Sequence, residues 1–376
     1  MLSAPKPSDL YQRNINVLIG AGASAGAFPT LALKIKPSEG GWATVESLGE
    51  WLLSNDRKNE YAALFFFYYK KVIEEVLNAD YDVLDVLLGI TSEYKTLLKN
   101  LLTLLNRKGA GQEKRCNIFT SNYDGFLEYA ADKLILELPQ NFYVNDGTRG
   151  FQRRVLSARN YSQRLSETGV FGRHSVEIPQ INLIHLHGSV YWYSHQDEEI
   201  LVDYWKGLQG RKLTNDLSHI CADFFLKLED ENSTFEDLPD VALSPEQVSQ
   251  FWKEYKLLPI VNPTKWKFHE TVLEEHYYQM LRHLSYELER PNAVLLVFGF
   301  SFADEHIRNL IKRSLSNPNL QIFVYCYSQR AADYIKATFS KFPNVIAVTN
   351  GDSNLKFEEF NRSLSGEIKD EPGALA

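Results

Sequence analysis

Four short stretches of this sequence carry residue types able to do chemistry together: Gly20-Ala21-Gly22-Ala23-Ser24, Thr120-Ser121-Asn122-Tyr123-Asp124, His187-Gly188-Ser189 and Gly299-Phe300-Ser301. A turn of small residues directly after an apolar run lets the backbone come close to a phosphate at the start of a following helix. The Asn122 amide can orient a hydroxyl or a water, the Asp124 carboxylate can support a developing positive charge, and the His187 imidazole can take a proton near neutral pH. Each stretch also has a plainer reading. Asx residues after a strand make turns and cap helices, so Asp124 can simply cap a helix beginning at Gly125. A lone histidine is commonly a satisfied interior one, Ser301 with Asp304 fits a capping box, and small-residue turns often serve packing alone.

The elements around these residues read as alternating strands and helices. Val17 to Ile19, Cys116 to Thr120, Ile181 to Leu186, Val294 to Phe298, Ile322 to Tyr325 and Val345 to Val348 are apolar runs of strand length. Runs this uniformly apolar are buried on both faces, which predicts an α/β fold with a doubly wound, Rossmann-like parallel sheet. Ligands of such sheets bind at the carboxyl ends of the strands, and all four stretches stand there. Helices are expected over Gly125–Leu138, Thr271–Leu288, Asp304–Leu315 and Ala331–Phe339, with a further short strand from Leu257 to Val261.

The sheet is interrupted by insertions. The expected organisation is a first Rossmann-like part at 1–44 and a large helical insertion at 45–110. A continuation follows at 111–194 with a loop-rich insert at 139–180, then an acidic helical or irregular insert at 195–256. The C-terminal half spans 257–365, and 366–376 is a frayed tail. Within the helical insertion, Phe65-Phe66-Phe67-Tyr68-Tyr69 covers every side of its helix, so it is either core or a face for a partner subunit. That block and the segment 139–180 are the candidate partner surfaces or lids.

Composition excludes several classes. The chain has 376 residues, 44% hydrophobic and 23% charged, which is a globular balance. A net charge of −8 argues against a broad nucleic-acid face. Three widely spaced cysteines, Cys116, Cys221 and Cys326, form no C-x-x-C pair, which fits a reduced cytoplasmic protein without a structural zinc. The longest apolar block is too short to cross a membrane. Gly20-x-Gly22-x-x-Ala25 satisfies a dinucleotide fingerprint, yet residues 30–50 hold no second strand with the acid that grips a ribose, which speaks against hydride transfer.

Taken in order, the blocks Gly20–Ser24, Thr120–Asp124, Leu186-His187-Gly188-Ser189 and Gly299–Ile307 resemble the signature blocks of sirtuin-type NAD-cleaving domains. The resemblance implies that NAD is the substrate, with Gly20, Ala21, Gly22 and Ser24 at the pyrophosphate and Asn122 and Asp124 around the nicotinamide and its ribose. It further implies His187 as general base and Gly299 and Ser301 at the adenosine half, with Thr120 in the same block as Asn122. Protein-deacylating sirtuins carry a four-cysteine zinc module that this chain cannot build, and they follow the first block with Ile-Pro-Asp-Phe-Arg where this sequence has Phe28-Pro29-Thr30-Leu31-Ala32. The pattern is closer to the sirtuin-like domains of bacterial anti-phage defence. A chain of this size resembles the subunit of those systems that assembles with a separate HerA-type ATPase, which implies a homo-oligomer, an ATPase partner and no metal. The alternative is a module that binds NAD or ADP-ribose without cleaving it, and a peptide deacylase ranks third.

Overall fold

The computed structural model describes residues 4–29, 33–37, 43–109, 111–139, 141–168, 175–195, 199–204, 213–214, 216–256, 258, 260 and 272–366. The expected strand at 257–261 lies largely outside these residues, as does the tail beyond Gly366.

Seven parallel strands form the central sheet: β1 (Asn14–Ile19), β2 (Arg115–Thr120), β3 (Tyr143–Asn145), β4 (Gln180–His185), β5 (Ala293–Phe298), β6 (Gln321–Tyr325) and β7 (Val345–Val348). Their spatial order is β7-β6-β5-β1-β2-β4-β3, so the chain runs outward from β5 on one side, while on the other it passes from β1 and β2 to the edge strand β3 before β4 fills the place between β2 and β3. The point where strand order reverses therefore falls between β1 and β5.

Side chains alternate between the faces, and both faces are covered. Val17, Ile19, Ile118 and Leu183 pack under α3 (Asp85–Asn106), α4 (Phe126–Glu137) and α10 (Phe357–Ser365). Leu18, Phe119, Ile184 and Leu295 pack under α7 (Val272–Glu289), α8 (Glu305–Ser314) and α9 (Gln329–Thr338). This is the doubly wound α/β arrangement. A polar rung crosses it: Asn117 Nδ2 donates to Asn16 Oδ1 (2.8 Å) and Asn182 Nδ2 to Asn117 Oδ1 (2.8 Å), all three buried on adjacent strands in register.

A third core lies in the insertions. α1 (Val45–Ser54) and α2 (Lys58–Tyr68) close on α5 (Ala222–Leu228) and α6 (Pro245–Tyr255), which come from far along the chain. Phe65, Phe66, Phe67, Tyr68 and Tyr69 are all buried there, Phe65 and Phe66 against Phe251, Tyr255 and Phe225. Hence this aromatic block is core and not a partner-facing surface. The helical insertion is also not one body, since α3 belongs to the sheet's own covering layer.

The segment 139–180 contains more structure than expected. It supplies the edge strand β3 and a hairpin of Thr148–Arg149 with Val155–Leu156, which joins Glu199–Val202 and Trp192–His195 in a small antiparallel sheet. Helix α10, absent from the sequence expectation, follows β7 and buries Phe357, Phe360 and Leu364.

Candidate functional site

The four stretches emerge from the carboxyl ends of four neighbouring strands, β5, β1, β2 and β4. The turn after β1 is a single 3-10 turn, Ala21–Ser24, rather than the start of a long helix. This corrects the expectation of a helix N-terminus behind the glycines. The glycines instead let two backbones meet. The Gly22 amide donates to the Gly299 carbonyl (2.8 Å), and a Cβ on Gly20 would fall 2.5 Å from that same oxygen. Gly299 sits at φ +68° and has no room for a Cβ, which would lie 2.4 Å from the Ala23 nitrogen. Gly20, Gly22 and Gly299 are therefore fixed by packing at the strand-order reversal. Ala21 and Gly22 are exposed on its outer side.

Ser24 turns inward to a buried polar cluster. Its hydroxyl donates to Asp124 Oδ2 (2.7 Å), contacts the Tyr94 hydroxyl (3.1 Å), and accepts from Asn122 Nδ2 (3.2 Å). Asn122, 6% exposed, is held along its whole length. Its backbone amide donates to Thr120 Oγ1 (3.1 Å), Nδ2 also reaches the Tyr94 hydroxyl (3.4 Å), and His185 Nδ1 lies 3.2 Å from its carbonyl. What remains is Oδ1, buried with no hydrogen-bond partner. A buried acceptor without a donor is costly, which sets this oxygen apart from the rest of the residue.

Asp124 Oδ1 accepts weakly from the Phe126 amide (3.4 Å) in the turn that enters α4, whose N-cap position is occupied by Gly125. Asp124 therefore serves the turn as the plainer reading expected, while its other oxygen binds Ser24. Burial, opposed by the Ser24 and Phe126 hydrogen bonds, pushes the Asp124 carboxyl up to about 6.

Two participants escaped the sequence reading. Tyr94 rises from α3, stacked on Phe126 with centroids 5.5 Å apart, and nothing local marks its hydroxyl as different from the apolar residues of that helix. His185 is buried and its Nε2 lies 2.6 Å from Glu128 Oε1. Burial works against protonation of this imidazole, but the Glu128 carboxylate outweighs it and the His185 pKa is raised. The available signal was a polar residue inside the apolar run Ile181–Leu186, with an acid in the first turn of the helix after Asp124.

His187 joins a different pair. Its Nε2 is 3.1 Å from Asp304 Oδ2, and its ring lies 6.2 Å from that of Tyr277. Asp304 also caps α8 through the Ile307 amide (2.9 Å). The capping role belongs to Asp304 itself rather than to a box with Ser301. Ser301 is exposed and only accepts from the Ala303 amide (3.3 Å).

Among the described residues no group of three or more His, Cys, Asp or Glu is placed to hold a metal, and no helix is long and apolar enough to cross a membrane. All three cysteines are free and buried, with burial pushing the Cys116 thiol up to about 12 and those of Cys221 and Cys326 up to about 11. None has the lowered pKa of a reactive thiol. Protein-family models and curated proteins give no match to this chain.

Proposed function

We propose that this chain is an NAD glycohydrolase of sirtuin-like type that releases nicotinamide and ADP-ribose. The observation that carries the reading is Asn122: an amide locked by Ser24, Tyr94, Thr120 and His185, with one buried acceptor left over beside a carboxylate. That arrangement suits a ribose hydroxyl or an attacking water. Sequence resemblance supplies the substrate.

The reaction breaks the bond between ribose C1′ and the cationic ring nitrogen, whose electron pair neutralises the departing nicotinamide. A water oxygen bonds to C1′ and its proton passes to a base. The barrier lies in an oxocarbenium-like ribose, so orientation and negative charge matter more than acid catalysis. Asn122 Oδ1 orients the donor, Asp124 stabilises positive charge once ionised above about pH 6, and His187, its Nε2 3.1 Å from Asp304 Oδ2, takes the proton. Such an enzyme would serve as a cytoplasmic, NAD-depleting effector of anti-phage defence, restrained by homo-oligomeric assembly or by a HerA-type ATPase.

The test is chromatography for free nicotinamide after incubation with NAD, alone and with the product of a neighbouring ATPase gene. His187→Ala and Asn122→Ala are expected to keep NAD binding and lose about 10² to 10⁴ in rate. Full activity in both variants, or no nicotinamide in either setting, overturns the assignment. A binding module without catalysis is the second reading. It is favoured by the way Ser24 and Asp124 satisfy each other within the chain, and it predicts NAD binding with no nicotinamide released.

A further inference from the structure

His185 is the last residue of β4 and pairs with Thr120 at the end of the β2–β4 ladder. Beyond that point β2 runs into the turn that carries Asn122 and Asp124. The His185 ring continues what the ladder leaves off: Nδ1 lies 3.2 Å from the Asn122 carbonyl oxygen, Nε2 lies 2.6 Å from Glu128 Oε1, and the Trp192 ring stands edge-on at 5.8 Å. The side chain is 4% exposed, so bulk water does not replace either contact.

Both partners of the ring are acceptors. A backbone carbonyl and a carboxylate have no proton to give, and a neutral imidazole carries one N–H. Two donations therefore call for the imidazolium, with a proton on each nitrogen. Glu128 Oε2 is buried with no hydrogen-bond partner, so a neutral ring would leave a buried carboxylate unmet. The groups around the pair favour the same state. Asp124 in the turn adds negative charge, Asp132 follows Glu128 by one turn of α4, and Arg154 on the hairpin is committed to Asp146. Burial raises the pKa of the Tyr81, Tyr191 and Tyr204 phenols and lowers that of His276, which stands 6.4 Å from Trp192 on α7. These groups are uncharged near neutral pH.

We propose that His185 is a positioning residue of the NAD-cleaving site: a buried imidazolium, clamped by Glu128, that fixes the Asn122 peptide and with it the placement of the Asn122 amide and the Asp124 carboxyl. A neutral ring keeps one N–H and must surrender either the carbonyl or the carboxylate. Two ionisations then bracket the rate with opposite signs. Asp124 must lose its proton, above about pH 6, whereas His185 must keep its own. Glu128 raises the His185 pKa in the folded chain against the opposing effect of burial, so the cation persists through the ordinary imidazole value of about 6.5 and is lost above it. The rate should be bell-shaped in pH, with its basic limb belonging to His185. The effect on rate rests on the NAD-cleaving reading, but the charge state and the tie to Asn122 do not.

Two measurements on the full chain separate these parts. Nitrogen NMR of the imidazole rings and of the Asn122 side-chain amide, followed with pH in the wild type, needs no variant to fold. It should show both His185 nitrogens protonated at about pH 7 and the Asn122 resonance moving where His185 titrates. A singly protonated ring, or an Asn122 resonance indifferent to its titration, overturns the proposal whether or not NAD is cleaved. Nicotinamide release is then followed across pH in the wild type and in Glu128→Gln, which removes the charge that holds the proton. The basic limb of kcat is expected about one pH unit lower in the variant, giving about a tenfold loss on that limb, recovery to within about twofold near pH 6.5, and an unchanged KM for NAD. A basic limb at the same pH in both proteins, or a loss uniform with pH, overturns the positioning role. If the wild type releases no nicotinamide at any pH, the NAD-cleaving reading falls, and the NMR titration alone decides whether His185 positions Asn122.

Discussion

Asp124 is a carboxylate that folding makes harder to ionise, and this has a consequence for stability. Its pKa rises from about 3.9 in an unfolded chain to about 6 in the folded one. Between these values the folded state binds more protons, so the Asp124 contribution is most favourable below about pH 4. It is lost as pH rises and is fully absent above about pH 6. Asp124→Asn keeps an acceptor for the Ser24 hydroxyl and removes the ionisation. The stability difference between variant and wild type should therefore move in the variant's favour by about 1 to 3 kcal/mol from pH 4 to pH 7. Denaturant unfolding across that range measures it, and a difference that does not change with pH contradicts the burial argument. Ser24, Asn122 and Asp124 were legible in the sequence because polar residues ending apolar strands of a parallel sheet collect at its carboxyl edge. Tyr94 was not, since a buried tyrosine at helical spacing differs from its apolar neighbours only by one hydroxyl whose partners lie 28 and 70 residues away.

At the scale of elements, two turns meet where strand order reverses, and their glycines differ in what they do. Gly20 has the Gly299 oxygen at 2.5 Å and the Phe300 Cα at 2.6 Å from where a Cβ would stand, both backbone atoms that cannot swing aside. Gly26 has nothing within 4 Å but sits at φ +97°. Gly20→Ala should thus cost at least about 2 kcal/mol by forcing two turns apart, whereas Gly26→Ala should cost about 1 kcal/mol of backbone strain. Urea midpoints distinguish them, and equal losses would mean that the contact between the turns is soft. The same glycines show the limit of a motif. Small residues after β1 mark a close approach, but not whether the approaching group is a phosphate or another stretch of the chain. The six long apolar strands were readable for a physical reason, burial on both faces. Tyr143–Asn145 and the hairpin at 148–156 were not, because two- and three-residue strands carry no period and exist through partners such as Gln180 and Leu201.

The whole molecule is two bodies woven from one chain: a doubly wound sheet with its helices, and a helical body assembled from residues on either side of β2 and β4. Long-range closure of this kind leaves no local trace, so the 195–256 segment reads only as an acidic helical or irregular insert, whereas its Phe224, Phe251 and Tyr255 complete the core begun by α1 and α2. Phe66 lies near the centre of that core, 1% exposed, its ring edge-on to Phe251 at 6.0 Å. Phe66→Ala should remove about 3 to 5 kcal/mol through lost burial and the cavity left behind. The two bodies have separate cores, joined by partly buried residues such as Phe28 and Tyr191. The loss should therefore fall first on the helical body. Hydrogen exchange resolved by segment should show α1, α2 and α6 opening early in the variant, while Val17–Ile19 and Leu295–Val297 keep their protection. If the central strands lose protection in step with the helices, the two cores fold as one cooperative unit, and the aromatic helix then supports the site above the sheet as directly as α3 and α4 do.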